Sequence, residues 1–220
     1  MTLKAVFFDL DGTLLDTAED LGNALNSVLI RHQKSPMPQA RLRDHVSNGA
    51  AALIRLGFGL DDSAEEFASL RQQLLDAYAE DLASHTRPFT GIEALIEQLA
   101  NNNIAWGIAT NKPAVYAEPL MEYFSFASEP VALICPEHVK IRKPDPEALT
   151  LACDHAKCKT SEAIYIGDHL RDIQCGTNAG MPTIAVGYGY IIDNDDHRSW
   201  QATHTVDHAE EIWPIIQTYL

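Results

Sequence analysis

Five short runs of almost uninterrupted apolar residues constrain this chain more than any other feature. They are Lys4–Phe8 (KAVFF), Ala105–Ala109 (AWGIA), Val131–Cys135 (VALIC), Ala163–Ile166 (AIYI) and Thr183–Val186 (TIAV). Strand side chains point alternately to opposite faces, so a strand with one wet face alternates apolar with polar residues. These runs do not alternate. Both of their faces must be buried, which is the pattern of a parallel sheet covered by helices on each side. Between the runs lie helical stretches. Ile92, Leu95, Ile96 and Leu99 share one side of a helix over Ile92–Asn101, and Glu147–His155 and Ile173–Ala179 are further candidates. The alternation predicts an α/β fold, a doubly wound parallel sheet.

Residues 16–86 read differently. Leu21, Leu25, Val28 and Leu29 form one helical stripe, and Phe67, Leu70, Leu74, Leu75 and Tyr78 form another. Between them, Pro36, Pro38, Gly49, Gly57 and Gly59 break the chain into shorter helices. No convincing strand falls in this stretch. The expected organisation is an α/β core from residues 1–15 and 87–220, with an all-α cap over 16–86 inserted directly after the first strand. Pro88 and Gly91 mark the return to the core. The tail from about Asp193 is polar and ends in an apolar helical run, Ile212 to Leu220.

Charge narrows the partners. The 220 residues carry 31 Asp plus Glu against 16 Lys plus Arg, a formal charge of -15. Such a surface repels nucleic acid and anionic lipid. An anionic substrate must therefore be attracted locally, by a metal, a lysine or backbone N–H groups. Met1-Thr2-Leu3-Lys4 runs straight into the first strand with no leader pattern, and no apolar run is long enough to span a bilayer, so a cytoplasmic protein is expected. Cys135, Cys153, Cys158 and Cys175 lack CxxC spacing and read as free thiols. Cys153 and Cys158 flank His155 but lie about 140° apart on a helix, which argues against a metal site.

Four blocks carry chemistry, each just beyond an apolar run or beside one. The first is Phe8-Asp9-Leu10-Asp11-Gly12-Thr13. Carboxylates at i and i+2 of a strand end can point the same way, and the carboxyl end of a parallel strand is where ligands bind. Two acids together need a cation or a shared proton, and a hard cation with oxygen ligands, Mg²⁺, meets that need. Gly12 lets backbone N–H groups approach an anion. A plain Asp-Gly turn is the bland alternative. The second block is Ala109-Thr110-Asn111-Lys112, where a hydroxyl and nearby N–H groups could hold phosphate oxygens, or Thr110 could simply cap a helix. The third is Arg142-Lys143-Pro144-Asp145-Pro146, in which two prolines fix where the Lys143 ammonium points. The fourth, Gly167-Asp168-His169-Leu170-Arg171-Asp172, offers one acid for a metal and another to orient Lys143 or a metal-bound water.

In this order, DLDGTLLDT, ATNK, KPDP and GDHLRD resemble the four motifs of the haloacid dehalogenase-type hydrolase superfamily. The helical segment after the first block looks like that superfamily's cap. The resemblance implies a magnesium-dependent phosphatase for a small-molecule phosphate monoester. Asp9 matches the nucleophile that becomes an aspartyl-phosphate, and Asp11 the general acid/base. Thr110 and Asn111, with Gly12 and Lys143, match the phosphate- and substrate-binding positions. Asp9, Asp168 and the carbonyl of Asp11 match the Mg²⁺ ligands, and Asp172 supports them from behind. Asp11 separates the chain from the dehalogenase branch, whose chemistry needs neither that acid nor a metal. The chain as a whole looks like the phosphoglycolate phosphatase group. The stretches WGIATNKP, ICPEHVKIRKPDPE and VGYGYI are similar to bacterial N-acetylmuramic acid 6-phosphate phosphatases of cell-wall recycling. Both substrates pair a phosphate with a carboxylate, so a cationic or N–H-rich cap contact suits either; Arg43, Asn48 and Gly49 are the candidates. A sugar phosphomutase and a non-catalytic phospho-acceptor are the competing readings.

Overall fold

A computed structural model describes residues 2–192 and 195–220; Met1 and Asp193, named above, lie outside the described residues. The chain opens on β1 (Ala5–Phe8) and a two-residue strand β2 (Leu15–Asp16), followed by helices α1 (Ala18–Arg31), α2 (Gln39–Arg43), α3 (Gly49–Phe58) and α4 (Phe67–Glu80). Strand β3 (Arg87–Pro88) returns antiparallel beside β2, with Leu15 opposite Pro88. Then come α5 (Ile92–Asn101), β4 (Ala105–Ala109), α6 (Ala114–Met121), β5 (Leu133–Ile134), α7 (Glu147–Ala156), β6 (Ala163–Gly167), α8 (Leu170–Asn178), β7 (Thr183–Val186), β8 (His204–Val206) and α9 (Ile212–Gln217).

Six of these strands form one parallel sheet in the order β5-β4-β1-β6-β7-β8. The burial of β1 explains its unbroken apolar run. Val6 and Phe8 point into one core cluster, with Trp106, Ile108, Ile164 and Ile166. Ala5 and Phe7 point into another on the opposite face, with Ala109, Leu149, Ala152 and Tyr165. Sheet order reverses at β1, which pairs with β4 on one side and β6 on the other, so a crevice opens beyond the carboxyl ends of these three strands.

The helical stripes bury as their spacing requires. Leu21, Leu25, Val28 and Leu29 of α1 and Phe67, Leu70, Leu74 and Tyr78 of α4 join the same cluster as Val6 and Phe8. Leu75 is half-buried instead, at the edge of a cavity.

Several elements differ from the sequence reading. The Val131–Cys135 run pairs as a strand only over Leu133–Ile134 at the sheet edge. Strand β8 lies in the tail read as polar. It is a sheet edge, so His204 and Thr205 stay partly wet and give no apolar run. Helix α6 was not anticipated; it buries only Ala117 and Leu120, and Pro119 interrupts its pattern. Helix α8 starts at Leu170 rather than Ile173, because the His169 side chain accepts a hydrogen bond from Arg171 N–H and caps it. Cys158 lies past the end of α7, beyond Lys157 at φ 53. The four cysteines are free.

Candidate active site

Three strand ends deliver the site. Asp9 directly follows β1, Thr110 follows β4, and Asp168 follows β6, while Lys143 enters from the loop before α7. The ladder continues past β1, since Asp9 N–H donates to Ile166 carbonyl at 2.9 Å. The chain then turns sharply: Leu14 and Leu15 N–H both return to Leu10 carbonyl, at 3.1 and 2.9 Å. The turn puts Gly12 at φ 85, and a Cβ there would lie 2.1 Å from Asp168 Oδ2. Gly12 therefore gives room to a carboxylate. Its own N–H donates to Leu15 carbonyl at 3.0 Å, so an anion near this turn would have to meet other N–H groups.

Lys143 is 3% exposed. Its Nζ lies 2.9 Å from Asp9 Oδ1 and 2.7 Å from Asp172 Oδ1. It also donates to Ala109 carbonyl at 3.0 Å and to Tyr165 hydroxyl at 2.9 Å. Burial works against the charge on Lys143, but the Asp172 and Asp9 carboxylates outweigh it and raise the ammonium above its ordinary range. Both oxygens of Asp172 have partners: Oδ1 takes Lys143 and Oδ2 accepts His169 N–H at 3.1 Å. Asp172 thus contacts Lys143 directly.

Asp9 Oδ1 accepts from Lys143 and from Leu10 N–H at 2.7 Å. No described residue donates to its Oδ2. Burial pushes the Asp9 carboxyl up; Lys143 opposes this, and Asp172 and Asp11 add to it. Asp168 takes Ser47 Oγ at 2.8 Å and Tyr190 N–H at 2.9 Å on Oδ2, and Thr13 Oγ1 at 3.2 Å on Oδ1. Burial, then the charges of Asp172 and Asp9, push Asp168 up to about 7. Asp9, Asp168 and Asp172 offer oxygens within 4.8 Å of one another. Three carboxylates with one lysine in direct contact leave negative charge uncompensated, and every donor is a hard oxygen. With Asp172 committed elsewhere, Asp9 and Asp168 fit a small hard divalent cation.

Asp11 stands beside this cluster. Its Oδ1 accepts from Thr17 Oγ1 at 2.6 Å and from Lys112 Nζ at 2.9 Å. Thr110 Oγ1 accepts from Lys112 N–H at 3.2 Å, which leaves its hydroxyl hydrogen free to donate. Asn111 Nδ2 donates to Lys143 carbonyl at 3.3 Å, while its Oδ1 is buried without a partner among the described residues.

These groups open into a cavity of about 560 Å³ roofed by α3, α4 and the 46–48 turn. Asp9, Asp11, Thr110, Asn111, Lys143, Asn48 and Gly49 all line it. Arg43 does not. Its guanidinium grips both oxygens of Asp16, at 2.9 and 2.8 Å, and lies over the Tyr190 ring, which corrects the expectation that it faces substrate.

Other residues reach the cavity that the sequence reading had not assigned. Lys112 is one, and Tyr78 of α4 another. Arg171 sits between the two acids of the fourth block and donates to Ser47 carbonyl at 3.1 Å and to Asn48 Oδ1 at 2.6 Å. His169 also lines the cavity; burial, then Arg171, bring it down to about 4, so it is neutral at pH 7. The VGYGYI stretch works from behind: Tyr188 hydroxyl donates to Thr13 carbonyl at 3.0 Å, and Tyr190 hydroxyl accepts Thr17 N–H at 2.6 Å. Lys112 and Arg171 stood inside quoted motifs, so their positions were legible. Their partners were not.

The chain as a whole is similar to known proteins. The family model described as haloacid dehalogenase-like hydrolase matches residues 6–186. An N-acetylmuramic acid 6-phosphate phosphatase of Pseudomonas aeruginosa is 43% identical, covering 100% of this chain and 97% of that one. A phosphoglycolate phosphatase of Xanthomonas campestris is 35% identical, covering 96% and 95%. Among solved structures, a predicted phosphoglycolate phosphatase from Haemophilus somnus superposes with a TM-score of 0.83 over 98% of each chain, at 22% identity.

Proposed function

The chain belongs to the haloacid dehalogenase-like hydrolase family, and from that premise we propose that it is a magnesium-dependent phosphatase that removes phosphate from a sugar acid through an aspartyl-phosphate on Asp9. The family's named relatives at this level of identity are phosphatases of phosphate monoesters. One observation carries the mechanism: Asp9, Asp11 and Lys143 converge on one cavity, each with one side already held by the protein.

Asp9 Oδ1 is bound by Lys143 and Leu10 N–H, so Oδ2 is the oxygen free to react. It attacks phosphorus in line and the ester oxygen departs. Asp11, held through Oδ1, presents Oδ2 to that oxygen and protonates it, then takes a proton from the water that cleaves the acyl phosphate. Lys143 balances the nucleophile and the transferring phosphoryl group. The Thr110 hydroxyl donates to a phosphate oxygen. Asn111, whose amide nitrogen donates to Lys143 carbonyl, stands beside the phosphate site and helps to hold the Lys143 loop against it. Asp9, Asp168 and the carbonyl of Asp11 would hold Mg²⁺, which would supply the charge that lets a carboxylate meet a phosphate dianion.

Helices α1–α4, within residues 16–86, act as the cap that shuts water out. N-acetylmuramate 6-phosphate is favoured over 2-phosphoglycolate as substrate. Support comes from the higher identity to the relative of that name and from a cavity of about 560 Å³, roomy for a two-carbon acid. The test is a panel of phosphorylated metabolites assayed for inorganic phosphate with Mg²⁺ and with chelator. A kcat/KM for 2-phosphoglycolate above that for N-acetylmuramate 6-phosphate would reverse the substrate assignment. Isomerised sugar phosphate in place of inorganic phosphate would make the enzyme a mutase.

A further inference from the structure

Lys112 is a buried ammonium that the mechanism above leaves without a task. It is 8% exposed, and a charge is not buried without recompense. Its Nζ makes two hydrogen bonds, to Asp11 Oδ1 at 2.9 Å and to Tyr78 hydroxyl at 2.9 Å. The ammonium also lies 4.6 Å from the centre of the Tyr78 ring. Lys112 follows β4, Asp11 follows β1, and Tyr78 belongs to α4. One cation thus ties the strand-end acid to a helix of the segment above it.

The geometry at Asp11 shows what this tie does. Thr17 and Lys112 both bind Oδ1. No described residue binds Oδ2, and Asp11 lines the cavity. Two donors on one oxygen fix the carboxylate's rotation and leave the other oxygen without a partner among the described residues. A proton-transfer group must lie within hydrogen-bond reach of its target in one defined orientation, and an error of about 1 Å costs about 100-fold. Thr17, just before α1, provides one fixing bond. Lys112 provides the other only where its own stem and head are held, and Tyr78 holds the head.

We infer that Lys112 is a positioning residue for proton transfer, holding Asp11 in its reactive rotation when Tyr78 of α4 is docked on it. The inference rests on the reading of Asp11 as the proton donor. It links the donor's placement to a helix of the segment above it.

The test uses the intact enzyme with Mg²⁺ and two substrates of similar shape, benzyl phosphate and p-nitrophenyl phosphate. The benzyl alkoxide needs a proton to depart; the nitrophenolate departs without one. The readout is the ratio of kcat/KM for benzyl over p-nitrophenyl phosphate, which reports phosphoryl transfer to Asp9. Lys112→Met is expected to lower this ratio about 10-fold or more, a part of the 10²–10⁴ that acid–base catalysis contributes. A fall in both substrates together, with the ratio changed less than about fivefold, overturns the inference, because a merely structural lysine acts on both alike. The p-nitrophenyl activity of the same sample reports folding. Tyr78→Phe should lower the ratio by less, and should add nothing in the Lys112→Met background; a full additional effect there removes α4 from the scheme. Asp11→Asn separates the two claims. If it lowers the ratio and Lys112→Met does not, only the role of Lys112 fails. If Asp11→Asn leaves the ratio unchanged, the proton-donor reading fails and this inference with it.

Discussion

Lys143 and Arg71 line the same cavity, yet they are held in opposite ways. Lys143, from the strand-end side, is buried against four oxygen acceptors on four different residues. Arg71, from α4, is exposed and makes no hydrogen bond or ion pair among the described residues. The contrast runs through the whole site. Strand-end groups are oriented by the act of folding, because their partners are fixed backbone and buried side chains. Helix-borne groups touch the site through a few side-chain links, chiefly Ser47 to Asp168, Asn48 to Arg171 and Tyr78 to Lys112. Under the proposed function, preorganisation would serve the chemistry, and adaptability whatever the substrate carries besides its phosphate.

The comparison breaks if damage at the strand ends is mild. Asp9→Asn should lower kcat by at least about 10⁴-fold, as loss of a covalent nucleophile does, with an unchanged circular dichroism spectrum. Retained turnover would end the covalent scheme. Lys143→Met comes next. It should cost about 10²–10³-fold in kcat and destabilise the chain by about 3–5 kcal/mol, because Asp9 and Asp172 are left buried and unpaired. Denaturant titration measures the second effect, and a loss below 1 kcal/mol would show the pair to be solvated.

Asp168 gives a pH test. Its folded value of about 7 stands above the ordinary 3.8. A raised acid favours the protonated folded state, so its stabilisation is complete below 3.8 and lost as pH rises through 7. In chelator, Tm should fall from about pH 5 to pH 8, and Mg²⁺ should restore it most at the upper end, since metal binds the ionised carboxylate. A Tm indifferent to Mg²⁺ at pH 8 would separate Asp168 from any metal.

Links from the helices should cost less. Arg171→Met removes two hydrogen bonds to the 47–48 turn and should reduce kcat/KM roughly tenfold or less, chiefly through KM; a collapse of kcat alone would place Arg171 in the chemistry. Smallest is Arg43→Met. Its half-exposed pair with Asp16 should be worth less than about 1 kcal/mol, and substrate preference should not change. A changed preference would return Arg43 to the substrate side.

Much of this was legible in the residues. The core pattern of β1 needed no coordinates, since only burial on both faces explains Ala5 to Phe8. The strand-end acids were equally open to reading, because an acid directly after such a run must emerge at the sheet's carboxyl edge. Gly12 was legible only as a turn. Its reason, the approach of Asp168 from 156 residues away, is a tertiary fact. Arg43 misled because a cation near a predicted turn gives no sign of which carboxylate will claim it. Strand β8 and helix α6 escaped because edge elements bury too little to impose a period.

By itself the sequence determined which residues emerge at the strand ends, because local alternation and breaker residues settle where a buried strand stops. The class of chemistry came from the resemblance of the four blocks at those ends to one family's motifs. Only the tertiary structure decided which charges are paired: Lys143 with Asp9 and Asp172, Lys112 with Asp11, Arg43 with Asp16. The reason is physical. Backbone pattern is a short-range property of neighbours along the chain. Ion pairing depends on burial and on separations of a few ångströms between residues remote in sequence, and these exist only once the sheet and the helices above it have packed.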